Sequence, residues 1–237
     1  MNALIFAAGL GTRLKPLTDT MPKAMVPVNG RPLVQILIEK LKGIGVNEIV
    51  INVHHFAQQI IDFVEANNSF GINIKFSDET GMLLETGGGL KKAVRLFSDE
   101  QPILVHNVDI LSNADLFSLY NNAETTTLLV SQRDTQRYLL FDDTNRLIGW
   151  KNIATGEYKS PFPDIKERPS RGLAFSGIQV FHPSLLPLMD SWQGKFSIID
   201  FYLSICDKVE IKGCFDPQLQ LLDVGKLDSI AKAEAFL

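Results

Sequence analysis

The apolar positions near the start of the chain form short continuous runs that alternate with amphipathic segments. Residues 3–7 are apolar and end at a glycine, which is typical of a central parallel strand covered on both faces. Residues 31–45 open on Arg-Pro and carry apolar side chains at helical spacing, so they predict a helix. Further strands are predicted at 48–53, 72–76, 103–106 and 125–130, and further helices at 58–65 and, after a run of glycines, within 85–97. This alternation indicates a mostly parallel sheet with right-handed crossovers.

The pattern changes between about residues 133 and 171, where short alternating strands precede a stretch rich in Pro, Lys and Ser. We interpret this segment as a substrate-side insertion or lid. A strand at 173–181, short helices at 183–190 and 198–206, strand material over 209–222 and a last helix at 226–236 complete the prediction. The expected fold is α/β, with a Rossmann-like, mostly parallel mixed sheet flanked by helices and a small β insertion, all in one domain of residues 1–237.

Composition and charge exclude several classes of protein. Of 237 residues 45% are hydrophobic and 21% charged, which are ordinary values for a globular chain. The net charge of −4 offers no broad cationic surface for nucleic acid, so no nucleic-acid partner is expected. No apolar run approaches the ~20 residues of a membrane span, and no basic leader precedes the first strand, so a cytoplasmic protein without a membrane partner is expected. Cys206 and Cys214 are too few for a disulfide scaffold.

The segment after the first strand is a long loop with the residues that a polyphosphate requires. Gly9 and Gly11 allow backbone N–H groups to approach an anion closely, and Arg13 and Lys23 add fixed positive charge. Gly11 is followed by Thr12-Arg13, which does not fit a Walker A motif. A dinucleotide-binding turn also fails, because Leu14 stands where its third glycine is required.

Residues 5–23, continued by Pro27-Val28, contain Ala-Ala-Gly, Gly-Thr-Arg, Pro-Leu-Thr and Pro-Lys in this order, and the string resembles the signature of sugar-1-phosphate nucleotidyltransferases. The resemblance implies the nucleotide-diphospho-sugar transferase type of fold. It implies catalytic roles for Arg13 and Lys23, and nucleotide binding by Ala8, Gly9, Gly11, Thr12, Arg13 and Lys23. A basic surface loop without function is the alternative, which the agreement of spacing, prolines and charges disfavours.

Two aspartates complete the site that the resemblance implies. Asp109 follows an apolar strand, at the edge of the sheet where such folds bind ligands, and Asp223 lies in a segment that resembles the family's late Asp-Val-Gly-Thr. The family makes Asp109 a magnesium ligand and Asn107 a substrate contact. Mg²⁺ takes few carboxylates together with phosphate and water oxygens, so Asp109 and Asp223 would hold it as catalytic metal ligands. As an alternative, each aspartate caps a helix, with Asn113 or Asp115 competing with Asp109 for that role.

The base and the sugar are expected to contact later segments. Residues 85–89, Glu-Thr-Gly-Gly-Gly, are consistent with close packing or with an anion at a helix N-terminus, and in the family this segment lies against the nucleobase. Glu79 and Gly88 are the predicted base contacts. The Glu-Thr-Gly-Gly-Gly form particularly resembles N-acetylmuramate 1-phosphate uridylyltransferases, which favours UTP.

On the sugar side, Gly177 lies in a strand that resembles the one passing the sugar in the family. Lys151 is the candidate for the sugar phosphate, against the alternative of a solvated surface lysine. His54, His55 and His106 show no spacing typical of a metal site and are expected to be structural or peripheral.

The expected reaction is magnesium-dependent transfer of a uridylyl group from UTP to N-acetylmuramate 1-phosphate, releasing pyrophosphate. Guanylyl transfer to mannose 1-phosphate or heptose 1-phosphate, thymidylyl transfer to glucose 1-phosphate and cytidylyl transfer to phosphocholine stay open. A non-catalytic nucleotide-sugar sensor or regulatory subunit is the alternative of another class, and such a protein would be expected to lose some of the charged set that is intact here. Both a monomer and a homodimer are compatible with the sequence.

Overall fold

A computed structural model describes residues 1–237 and contains fourteen strands and six α-helices. The strands are β1 (Asn2–Phe6), β2 (Pro27–Val28), β3 (Arg31–Pro32), β4 (Glu48–Val53), β5 (Asn73–Asp78), β6 (Ile103–Asn107), β7 (Ile110–Ser112), β8 (Thr127–Ser131), β9 (Arg137–Phe141), β10 (Leu147–Asn152), β11 (Tyr158–Lys159), β12 (Arg171–Phe181), β13 (Lys212–Phe215) and β14 (Leu221–Asp223). The helices are α1 (Leu33–Gly43), α2 (Ala57–Ala66), α3 (Glu85–Val94), α4 (Leu116–Asn121), α5 (Ile198–Ile205) and α6 (Asp228–Phe236). None of these helices is both long and apolar enough to cross a membrane.

The central sheet is mixed and mostly parallel, as the sequence predicts. Strands β5, β4, β1 and β6 are neighbours in that order and run parallel. The next strand, β12, is antiparallel to β6, and β8 is antiparallel to β12 in turn, with β13 parallel beside it. Six of these seven strands therefore point the same way, and their carboxyl ends meet along one edge of the sheet.

The long strand β12 joins this sheet to a smaller antiparallel extension. Residues 178–181 pair with β6, whereas residues 171–173 pair with β9, which continues through β10 to β11. The predicted insertion at 133–171 is this extension together with the loop before β12. Its place on the substrate side and its movement as a lid stay predictions.

Both faces of the sheet are covered, which explains the continuous apolar runs. Side chains alternate across β1, so that Ala3 and Ile5 belong to one core cluster and Leu4 to the other. Helices α1, α2 and α6 contribute side chains to the first cluster, and α3 and α5 contribute to the second. The predicted helix at 183–190 is instead a 3₁₀ helix at Pro183–Met189, because Pro187 inside it lacks the N–H that an α-helix requires.

The glycine run lies inside the first turns of α3, not before the helix as the sequence analysis expects. The N–H groups of Gly87 and Gly88 both donate to the carbonyl of Phe196, and the N–H of Phe196 donates to the carbonyl of Leu84 at 3.2 Å. A Cβ atom added to Gly87 would lie 2.4 Å from the Phe196 ring, and one added to Gly88 would lie 2.3 Å from the carbonyl oxygen of Gly194. The glycines are required because a second backbone segment passes directly over the helix.

This packing predicts that Gly88→Ala destabilises the protein. The added methyl group would meet a backbone oxygen that cannot rotate away, and overpacking of this kind costs about 1–3 kcal/mol of unfolding free energy. Gly43→Ala, at the end of α1, is the matched control, because nothing lies within 4 Å of its added Cβ. Urea denaturation of the two variants measures the difference, and equal midpoints would contradict the packing described here.

Candidate active site

A cavity of about 440 Å³ lies where the carboxyl ends of β6, β1 and β4 meet. We call it the first cavity. Its lining includes most of the residues predicted for the nucleotide and the metal, namely Ala8, Gly9, Gly11, Thr12, Arg13, Lys23, Glu79, Asn107 and Asp109, together with Asn52, Glu85, Thr86 and Gly225. This is the edge at which open α/β sheets bind ligands.

The loop after β1 has a defined conformation that depends on Gly11. This glycine has a φ of +64°, and its carbonyl oxygen accepts hydrogen bonds from the Leu14 N–H and the Thr18 hydroxyl, both at 2.8 Å. A Cβ atom at Gly11 would lie 2.8 Å from a methyl carbon of Thr18. The loop continues as three short 3₁₀ turns, which leave Thr12 and Arg13 on the wall of the first cavity.

Two buried polar side chains hold the loop against the sheet. The carboxamide oxygen of Asn52 accepts the N–H groups of Ala7 and Ala8 at 2.6 and 3.2 Å, and its nitrogen donates to Glu79 Oε1 at 2.8 Å. Glu79 Oε2 accepts the N–H of Leu84 at 3.0 Å. Both oxygens of Glu79 therefore have partners within the protein, and its predicted base contact stays a prediction. Sequence reasoning missed Asn52; the signal was an amide within an otherwise apolar strand.

Three of the four predicted charged residues, Arg13, Lys23 and Asp109, line the first cavity, and Asp223 lies just behind this lining. Lys23 is buried and forms an ion pair with Asp109. Strand β14 pairs with β7 so that Asp223 lies opposite Ile110, and the N–H of Val224 donates to the carbonyl of Asp109 at 2.8 Å. Two distant segments thereby bring their aspartates to the same place.

Gly225 completes this wall, because it leaves room for two charged groups. A Cβ atom added there would lie 2.6 Å from Asp223 Oδ1 and 2.9 Å from Arg13 Nη2. Mg²⁺ prefers oxygen donors, usually one or two carboxylates together with phosphate and water oxygens. Asp109 and Asp223 supply carboxylates beside a cavity that admits the other two, so they fit this ion.

The helix-cap alternative does not apply to either aspartate. The N-cap of α4 is Asp115, whose Oδ1 accepts the N–H of Ser118 at 3.0 Å. Helix α6 starts after Leu227 and has no side-chain cap, so Asp223 does not serve that helix. Both acids are therefore free of a capping role.

A second cavity, of about 620 Å³, lies on one face of the antiparallel extension. It shares Glu85 with the first cavity, and its lining also includes Arg133, Arg137, Trp150, Glu157, Lys159, Phe175 and Asp200. Apart from Glu85, which belongs to the Glu-Thr-Gly-Gly-Gly segment, these residues lie in no motif, and sequence reasoning identified none of them as site residues.

Lys151 is predicted as a sugar-phosphate contact, but the structure does not bring it to the second cavity. Trp150 and Asn152 line that cavity, and successive side chains of a strand point to opposite faces. The Lys151 ammonium instead lies 5.9 Å from the centre of the Tyr138 ring, on the other face of β9 and β10.

Two predicted glycines also lie outside both linings. Gly88 packs against the carbonyl of Gly194 and not against the cavity, so its position does not support the predicted contact with the base. Gly177 has a φ of +74°, and a Cβ atom there would lie 2.8 Å from Asn107 Nδ2. It therefore permits the position of Asn107, which does line the first cavity, and has no direct place in the lining itself.

The histidines agree with the structural or peripheral role expected for them. His106 is buried in β6, and burial lowers its pKa to about 4, with the nearby Lys40 acting in the same direction and a hydrogen bond to the Asn107 carbonyl opposing it. It is therefore neutral at pH 7 and does not serve as an acid there. His54 lies in the turn after β4, where its Nδ1 contacts the carbonyl oxygen of Glu79 at 2.7 Å.

Glu85 is the residue common to both cavities, and its backbone conformation is unusual. Its φ is +58°, in the left-handed region that favours glycine, and it opens α3. Its carboxylate lies 3.3 Å from the Lys195 ammonium. The residue at the junction of the two cavities is therefore a glutamate in a backbone conformation that would cost a glycine less free energy.

We predict that His106 makes stability depend on pH between about 6.5 and 4. The unfolded chain binds this proton near pH 6.5 and the folded chain only near pH 4, so stability falls as the pH is lowered through this window. The loss of unfolding free energy that is due to His106 approaches about 3 kcal/mol at pH 4. Urea denaturation of the protein and of His106→Leu over this range measures it, and equal pH slopes for the two proteins would contradict it.

We also predict that Glu85→Gly is more stable than Glu85→Ala. Both variants lose the contact with Lys195, but only alanine keeps a Cβ atom in the left-handed conformation, which costs about 1 kcal/mol. Thermal and urea unfolding of the pair isolates this backbone term. Equal stabilities would show that the conformation is not strained.

Comparison with known proteins agrees with this geometry. The Nucleotidyl transferase family model matches residues 2–143. The chain is 42% identical over 243 residues to the N-acetylmuramate alpha-1-phosphate uridylyltransferase of Caulobacter vibrioides, covering 99% of this chain and 96% of the relative. It is 34% identical over 189 residues to the enzyme of the same name from Neisseria meningitidis serogroup B, covering 78% and 77%.

Among solved structures, HddC from Yersinia pseudotuberculosis, complexed with GMP-PN, has the same fold. The TM-score is 0.76 at 24% sequence identity, over 99% of this chain and 98% of that chain. Together with the converging charged side chains of the first cavity, these matches establish that the chain belongs to the family of sugar-1-phosphate nucleotidyltransferases.

Proposed function

We propose that the protein transfers the uridylyl group of UTP to N-acetylmuramate 1-phosphate, giving the UDP-sugar and pyrophosphate. The observation that carries this proposal is that Arg13, Lys23 and Asp109 line one cavity at the strand ends, with Asp223 next to Gly225 of the same lining. The relative that is 42% identical over 99% of the chain supports the choice of base and sugar.

The reaction needs charge balance more than it needs a base. A sugar 1-phosphate is already ionised near neutral pH, so one of its oxygens can attack the α-phosphorus of UTP directly. A new bond forms between that oxygen and the α-phosphorus, and the bond from the α-phosphorus to the oxygen that bridges to the β-phosphate breaks. Its electron pair leaves with pyrophosphate.

The residues of the first cavity perform the binding and orientation. Backbone N–H groups around Gly9 and Gly11 and the guanidinium of Arg13 face the triphosphate, and Lys23 holds positive charge between Asp109 and the reacting phosphates. A magnesium ion bound by Asp109 and Asp223 would add positive charge on the phosphate oxygens of both substrates. The protein thus lowers the repulsion between two anions that must approach each other.

The two aspartates at the first cavity disfavour the alternative of a non-catalytic sensor. A binding protein gains nothing from two aspartates next to the phosphates of its ligand unless a cation also binds there. Both aspartates are present, and neither caps a helix.

We predict that Asp109→Ala lowers kcat/KM about 100-fold or more, because it removes a carboxylate that would hold the magnesium ion, whose positive charge stabilises the transition state. Asp115→Ala is the matched control, since this aspartate caps α4 away from the first cavity and its loss costs only about 1 kcal/mol of stability. Pyrophosphate release in the presence of Mg²⁺ measures both variants. Full activity of Asp109→Ala would refute the assigned role.

A matrix of nucleoside triphosphates against sugar 1-phosphates tests the substrates. Turnover is expected with UTP and N-acetylmuramate 1-phosphate. Turnover with GTP and mannose 1-phosphate, but not with UTP, would overturn the proposed pair, and no turnover with any combination would favour the sensor.

A further inference from the structure

The second cavity contains two arginines that no carboxylate of the chain neutralises. Neither Arg133 nor Arg137 has a carboxylate oxygen within 4.0 Å, although both line the cavity. Other charges of the lining do have partners, since Lys159 pairs with Asp200 at 3.0 Å and Glu85 with Lys195 at 3.3 Å. Among the carboxylates of the lining, Glu157 alone has no ion pair. The unpaired charges of the second cavity therefore leave an excess of positive charge.

These arginines lie where the far end of the acceptor must be. The reacting phosphates belong in the first cavity beside Arg13 and Lys23, and the second cavity adjoins it at Glu85. A sugar whose phosphate is in the first cavity extends past Glu85 into the second. Arg133 and Arg137 are then positioned for the sugar rather than for its phosphate.

One hydrogen bond orients the guanidinium of the exposed Arg133. Its Nη2 donates to the carbonyl oxygen of Phe175 at 3.0 Å, and Phe175 also lines the cavity. Arg137 lies on β9 with Leu139, two residues further on, on the same face. An arginine presents a planar fork of N–H donors that matches a carboxylate in two-point contact, whereas sugar hydroxyls need no formal charge from the protein.

We infer that Arg133 and Arg137 bind a carboxylate carried by the sugar, so that the acceptor is an acidic sugar 1-phosphate. This inference rests on the proposed function, since N-acetylmuramate carries a carboxylate on its lactyl ether. N-acetylglucosamine 1-phosphate is the same sugar phosphate without that group. The pair of acceptors therefore differs by the chemical group in question.

The test compares Arg137→Ala and Arg133→Ala with the unaltered protein on both acceptors, with UTP and Mg²⁺. Loss of a charge-assisted contact is expected to lower kcat/KM for the acidic acceptor about 10- to 100-fold, mainly through KM. The value for the neutral acceptor stays within about twofold. Arg137→Lys, which keeps the charge but not the fork, recovers part of the loss.

Arg171→Ala is the matched control, because this arginine of β12 stacks on the Phe215 ring at 3.9 Å and lines neither cavity. Arg171→Ala is expected to leave kcat/KM unchanged for both acceptors. Thermal unfolding of each variant shows whether it is folded, and calorimetric binding of free N-acetylmuramate and N-acetylglucosamine gives a readout that is independent of turnover.

Equal losses on both acceptors would overturn the inference, since the arginines would then serve the phosphate or the fold. An unaltered protein that binds and uses both acceptors equally well would overturn it too. Turnover of a different carboxylate-bearing sugar 1-phosphate, with the same loss in Arg137→Ala, would support the arginine site while refuting the proposed acceptor. If no acceptor is turned over, the proposed function fails, and the calorimetric comparison then decides the arginine site.

Discussion

The buried carboxamide of Asn52 is the interaction on which the geometry of the site depends. It accepts the first two N–H groups of the loop after β1 and donates to Glu79, which in turn accepts the N–H of Leu84. A buried polar chain of this kind is stable only when every member has its partner. It therefore fixes two walls of the first cavity, the phosphate loop and the start of α3, relative to each other.

The same chain of contacts extends to the second cavity. Leu84 accepts a hydrogen bond from Phe196, and the N–H groups at the start of α3 bind the Phe196 carbonyl. The hydroxyl of Thr86 accepts the N–H of Ile198, and the residues that follow Phe196, Ser197 among them, line the second cavity. The glycines of α3 are required for this contact, because a side chain at Gly87 or Gly88 would separate the helix from the segment whose following residues line the second cavity.

The predicted elements agree best where burial alone determines the structure. Strand β4 has the predicted bounds, because all six of its residues are buried and all except Glu48 and Asn52 are apolar. The cavity residues at the strand ends follow from the motif and from the rule that parallel strands end together. The short strand β7, which positions Asp223, has too few residues to show a period.

The position of Lys151 shows a second reason why sequence reasoning fails. A register shift lies between Leu147 and Gly149 in β10, and a shift of one residue exchanges the two faces of a strand. No local signal in the sequence reports that irregularity, so the face that Lys151 occupies follows only from the pairing. The left-handed backbone of Glu85 could not be predicted either, since glutamate rarely adopts this conformation and the sequence analysis expects the helix to begin only after the glycine run.

The charges at Glu85 and at the two arginines are consistent with separate binding places for the phosphates and for the sugar. The carboxylate of Glu85 at the junction is paired with Lys195, whereas the unpaired arginines beyond it are free to attract an anionic group of the sugar in the proposed complex. In the proposed complex, Arg13 and Lys23 would bind the phosphates, and the carboxylate of the sugar would point away from the reacting centre. A glycine would fit the left-handed backbone at position 85 better than glutamate, but it could not form the ion pair with Lys195.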